Sequence, residues 1–189
     1  MDSRPHITIE PGLYILVPIL ILLIPLRYLF AWTIAVTAHE LGHICALYAM
    51  DQPITQIKIG FRGAEIHTHA LSSGKEVICA AAGPLLGGIL ILFAKFMPLI
   101  SLCAAFQTAF NLLPLPQQDG ERILQAGLSL FIPKYAGVIT VIVRYIFTVI
   151  LSLFCILYGT GIPGISVIGG LILLKVVKRP CKRSKQIVQ

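Results

Sequence analysis

"VTAHELGHIC", residues 36–45, places two histidines and a glutamate inside a stretch otherwise apolar enough for a lipid bilayer. His39 and His43 are four apart, so on a helix both imidazoles leave one face a turn apart and can share a metal, usually zinc. Glu40 stands beside them, where a carboxylate can take a proton from an attacking water. With five histidines among 189 residues, a chance HExxH is rare. The competing explanation is a pair of histidines satisfied by packing within a helix bundle. It leaves Glu40 without a partner or a task, and an unpartnered carboxylate in apolar surroundings is costly. A metal and a water account for all three residues together.

The surroundings are those of an α-helical polytopic membrane protein. Hydrophobic residues make up 57% of the chain, charged ones 12%, and the mean hydropathy is +0.88, too few charges to cover a soluble domain. Crossing a bilayer takes roughly 20 apolar residues in a helix. The apolar runs predict about six transmembrane helices, at 12–28, 29–50, 76–96, 98–115, 135–158 and 164–177, with Pro25 and Arg27 marking the only break between the first two. The last two runs also suit a helix followed by a re-entrant hairpin. No small-residue cleavage site follows the first run, so no cleavable signal is expected, and residues 1–189 read as one membrane domain.

Basic residues favour the cytoplasmic side of short loops. Lys178, Arg179, Lys182, Arg183 and Lys185 form the strongest marker. An even number of spans then puts both termini, and the loops holding Lys58, Arg62, Lys75, Arg122 and Lys134, on that side. The localisation expected is a bacterial cytoplasmic membrane, with the active site opening toward the cytoplasm. The net charge of +7 reads as topology and contact with anionic headgroups, not as nucleic-acid binding. Cys45, Cys79, Cys103, Cys155 and Cys181 form no CxxC pair and read as small buried hydrophobes.

A zinc site needs a further ligand besides the two histidines. Asp119 closes "NLLPLPQQDGER", residues 111–122, where Pro114 and Pro116 forbid a regular helix and Gly120 frees the backbone. Such a broken helix at membrane depth is tolerated where it lines a cavity or is buried in protein. His67 and His69 are the rival ligands.

"HELGH" on an apolar helix, "AAGPLLGG" at residues 81–88 and "NLLPLPQQDG" together resemble the site-2 protease family of intramembrane zinc metalloproteases, over most of the chain. The likeness is greatest to small bacterial members that process a membrane-tethered pro-sigma factor in sporulation. The resemblance implies one zinc per chain held by His39, His43 and Asp119, with Glu40 acting on the water. Gly87 stands where many members have Asn, and Gln118 where a Leu commonly precedes Asp-Gly; neither is a proposed ligand.

In "ITQIKIGFRGAEIHTH", residues 54–69, apolar and polar residues alternate, which predicts a short membrane-associated β-hairpin. A turn at Arg62-Gly63 sets Phe61 opposite Ala64, Ile59 opposite Ile66 and Ile57 opposite Thr68. One face is then apolar, and His67 and His69 share the polar one, favouring a solvated role over metal binding. An open hairpin edge can take an extended peptide by strand addition, so Ile57 and Ile59 are assigned to substrate contact. Gly83 and Pro84 of the small-residue stretch are assigned there too, although small residues in membrane helices more often serve packing. Asn111 is assigned to holding substrate or orienting the Asp119 loop. "GTGIPGISVIGG", residues 159–170, reads as a loop or a gate.

The function these readings predict is hydrolysis of a peptide bond in or near a transmembrane segment of a single-span or membrane-tethered protein. The bilayer is the other partner, and a second copy or a regulatory membrane protein is compatible. A proteolytically inactive metal-binding assembly partner is the first alternative, and a metal-ion transporter the second. A transporter would spread ionisable residues over several spans, whereas here they concentrate in one constellation.

Overall fold

A computed structural model of the chain describes residues 6–60 and 63–158. The elements run β1 (His6–Ile9), α1 (Gly12–Leu23), α2 (Leu26–Ala49), β2 (Ile54–Gly60), β3 (Gly63–Thr68), α3 (Ser73–Leu92), α4 (Pro98–Asn111), α5 (Asp119–Phe131) and α6 (Pro133–Tyr158). Two compact units divide the chain, Met1–Gly137 and Val138–Gln189.

In the first unit α2 is the central element. Its buried residues Ala31, Ala35, His39, Gly42, His43 and Leu47 recur every three to four positions, one stripe along the helix. The stripe packs on α3, which buries Cys79, Ala80, Gly83, Pro84 and Gly87, and on α4, which buries Ser101, Ala104 and Gln107. Small residues predominate at these faces, so backbones approach closely. A side chain at Gly42 would strike the Ala82 carbonyl and come within 2.9 Å of the Gly83 Cα. The outer faces stay apolar: Ile15 is 70% exposed, Leu22 88% and Leu92 81%. Lipid, not water, is the solvent such a surface fits.

Two helices among the described residues, Ser73–Leu92 and Pro133–Leu157, are long and apolar enough to cross a membrane. Among the described residues these are fewer than the expected spans that fall there, for identifiable reasons. The first break falls at Pro25, one of the two residues expected to mark it, and ends the first helix short of residue 28, because a residue preceding proline is driven to extended backbone (Ile24 ψ 128°). That leaves α1 with 12 residues. α4 stops at Asn111 after 14 residues. α2, at 24 residues, is long enough, but His39, Glu40 and His43 lower its hydropathy. The run 164–177, the stretch 159–170, the basic residues from Lys178 to Lys185, Cys181 and Arg62 lie outside the described residues.

The hairpin is present, within a three-stranded sheet of order β1-β2-β3. β1 runs parallel to β2, pairing Ile7 with Ile57 and Ile9 with Ile59. In the antiparallel β2–β3 pair, Ile59 faces Ala64, Ile57 faces Ile66 and Gly60 faces Gly63. The pairing is thus centred one residue earlier than expected. Moving the centre by one residue shifts cross-strand partners by two, so the division into faces survives: Ile57, Ile59, Ala64 and Ile66 remain together, opposite Lys58, Glu65 and His67. His69 lies beyond the end of β3.

The interval between the expected spans 98–115 and 135–158 holds the amphipathic helix α5. In the second unit, α6 continues to Tyr158. Its Thr148 and Ser152 hydroxyls donate to the carbonyls of Arg144 and Thr148, both at 2.7 Å, which satisfies them inside an apolar helix. Of the described cysteines only Cys79 is buried; Cys45 is exposed, and all four are free.

Candidate metal centre

The α2 stripe brings His39 and His43 to the interior, 3% and 6% exposed, and the start of α5 brings Asp119 there, 7% exposed. One ligand atom from each lies within 4.8 Å of the others, and no other such group of three occurs among the described residues. Asp119 Oδ2 is 2.9 Å from His39 Nε2 and 3.2 Å from His43 Nε2. The two Nε2 atoms are 3.2 Å apart, with the rings edge to face.

Asp119 reaches this position because α4 ends at Asn111 and the Pro-rich connection turns the chain back. Gln117 takes a positive φ of 70° there, and its N–H donates to Glu121 Oε2 at 2.9 Å. Gly120 serves close approach rather than backbone freedom: a Cβ on it would strike the Leu112 carbonyl, so any larger residue would push the start of α5 outward.

The donor chemistry suits a cation. His43 Nδ1 donates to the Cys79 carbonyl at 2.8 Å, which leaves the Nε2 lone pair facing His39 and Asp119. His39 Nδ1 is buried without a partner. A single proton can reconcile only one pair among two imidazole nitrogens and a carboxylate oxygen at these separations, whereas a divalent ion accepts electron pairs from all three. Gly83 leaves the room: a Cβ there would overlap His43 Nε2 and lie 2.9 Å from His39 Nε2.

Glu40 is half-buried on the neighbouring face of α2, within electrostatic range of His39, His43 and Asp119 and near the Ala64 N–H of β3. Asn111 Nδ2 lies 3.1 Å from His39 Nε2, so this residue belongs to the cluster itself. Gly83 backs the histidines. Pro84 lines an apolar cavity of about 450 Å³ with Leu85, Leu112 and Ile123 among others. Ile57 and Ile59 lie on the apolar face of the sheet, Ile59 39% exposed. The rival ligands are elsewhere: His67 is exposed, 3.9 Å from Glu65, and His69 is exposed.

Three contributors went unrecognised in the sequence: the Cys79 carbonyl, Glu76 and Arg122. Arg122 Nε donates to Glu76 Oε1 at 2.8 Å, and its Nη1 lies 3.5 Å from Asp119 Oδ1. Burial alone would lower the Arg122 pKa, but the Glu76 carboxylate outweighs it and raises the guanidinium above its ordinary value.

No family model and no curated protein matches the sequence. Among solved structures, the chain is similar to the site-2 protease from Methanocaldococcus jannaschii, at a TM-score of 0.62 and 22% identity, over 94% of this chain and 92% of that one. The fold is that of a site-2 protease. Within the site-2 protease fold, the residues carrying the sequence resemblance, His39, His43 and Asp119, are the ones that converge here.

Proposed function

We propose that the chain is an intramembrane zinc metalloprotease of the site-2 protease family, cleaving a peptide bond in or near a transmembrane segment of a membrane-tethered protein. The observation that supports this most is the meeting of His39, His43 and Asp119 across 80 residues of sequence, in a fold shared with a protease. These three residues would hold one zinc ion. When bound, it would supply the Lewis acidity that activates water and polarises a carbonyl.

Glu40 is the general base. It takes a proton from the attacking water and returns it to the leaving amine, so no covalent acyl-enzyme is required. The Ala64 N–H of β3 lies near that carboxylate. Because β3 is the last strand of the sheet, an extended peptide added to its free edge would run beside Glu40, and a transmembrane substrate must unwind locally to be cut. Ile57, Ile59, Gly83 and Pro84 remain candidates for substrate contact.

The chain is proposed to cross the membrane several times, with both termini and the approach to the metal on the cytoplasmic side, as the basic residues favour. Co-expression with single-span candidate substrates tests the activity: the wild-type chain should cleave and Glu40→Gln should not. A metal-binding partner without proteolysis would give no cleavage with either chain.

A further inference from the structure

We infer that Arg122 is a positioning residue for the metal-binding carboxylate, holding Asp119 by the oxygen that faces away from the histidines while Glu76 anchors the guanidinium. The inference rests on the metal site proposed above. The two oxygens of Asp119 have different surroundings: Oδ2 is within 3.2 Å of both Nε2 atoms, and Oδ1 faces Arg122 Nη1 at 3.5 Å.

Arg122 follows Asp119 by three residues on α5, so the two share a helix face. A guanidinium is a planar fork whose donors point in fixed directions. With Nε committed to Glu76 at 2.8 Å, Nη1 is directed at the aspartate. Glu76 is in the first turn of α3, the helix that also supplies the Cys79 carbonyl to His43. One helix therefore orients two of the three ligands, His43 directly and Asp119 through Arg122.

Charge balance explains why Glu76 is needed. Arg122 alone would cancel the negative charge of Asp119 and oppose cation binding, whereas Glu76, Arg122 and Asp119 together keep a net charge of one negative unit, that of the ligand by itself. The arrangement restrains the carboxylate without neutralising the site. It also withholds Oδ1 from the metal, which favours binding through one oxygen. Outer partners of this kind typically tune metal affinity by about 10-fold to 100-fold.

The test uses the purified full-length wild type, Arg122→Gln, Glu76→Gln and the double variant. Zinc affinity is measured by competition with a chromophoric chelator, ligand geometry by the visible spectrum of the cobalt(II)-loaded protein, and integrity by thermal melting of the metal-free protein. Arg122→Gln should weaken zinc binding by about 10-fold to 100-fold and change the intensity of the cobalt bands. Glu76→Gln should act in the same direction by a smaller factor. The double variant should be no weaker than Arg122→Gln, because Glu76 acts through Arg122. If Arg122→Gln does not fold, Glu76→Gln carries the test by the same two readouts.

Unchanged affinity and spectrum overturn the inference, and so does a lowered melting temperature with both unchanged, since that is a brace between helices and nothing more. Multiplicative effects in the double variant overturn the role given to Glu76. A wild type that binds no zinc overturns the metal-site reading itself, a result distinct from a wild type that binds zinc and a variant that binds it equally.

Discussion

Replacing Gly83 by alanine adds one methyl group at the tightest point of the site. The new Cβ would overlap His43 Nε2, and would lie 2.6 Å from His43 Cε1 and 2.9 Å from His39 Nε2. Carbon contacts relax at about 3.5 Å, so a ring must move by about 1 Å. α3 also packs on α4 and α5, so moving it away from α2 would disturb those contacts as well as open the close approach of Gly42 to Ala82 and Gly83. The imidazoles must yield instead. Overpacking of this size costs about 1–3 kcal/mol, and if the metal geometry bears it, zinc binding weakens about 5-fold to 150-fold. Gly88→Ala is the control on the same helix: its Cβ would meet nothing within 4 Å, so zinc affinity should be unchanged and the helix should gain up to about 1 kcal/mol. Chelator competition on both purified variants decides the matter. Wild-type affinity in Gly83→Ala, or equal loss in both, would refute the argument.

Asp119→Ala should lose most of its zinc and all cleavage, whereas the double change His67→Ala, His69→Ala should retain the metal; metal analysis of the purified variants showing the reverse would overturn the ligand assignment. A reporter fused after Gln189 and one inserted near Ser73 should both report the cytoplasm, and opposite sides would remove the support for a cytoplasmic approach to the metal.

The chemistry was more legible in the sequence than the architecture. HELGH carries its geometry with it, since a four-residue spacing on a helix fixes both imidazoles, and two prolines ahead of Asp119 announce a chain reversal. The hairpin faces were readable because alternation has a period of two, and they outlived a one-residue error in the centre of the pairing. Helix lengths were less readable: hydropathy is averaged along a run, while Pro25 and the reversal after Asn111 cut the runs locally. β1 was missed because four residues, His6–Ile9, give too short an alternation and pair with β2 across two intervening helices. Arg122 was read as a loop charge because its partner Glu76 is 46 residues away, and no local pattern announces such a pairing. Gly120 was legible as a special position for the wrong reason, a close approach that only packing reveals.

The central claim is that a metal held by three residues and a proton carried by a fourth cleave a membrane-tethered substrate. It is tested most directly by measuring zinc content and cleavage together on Glu40→Gln. The amide preserves the shape of the side chain but cannot take a proton, so the variant should keep the fold and one zinc per chain while cleavage disappears. Undiminished cleavage by Glu40→Gln would contradict the account.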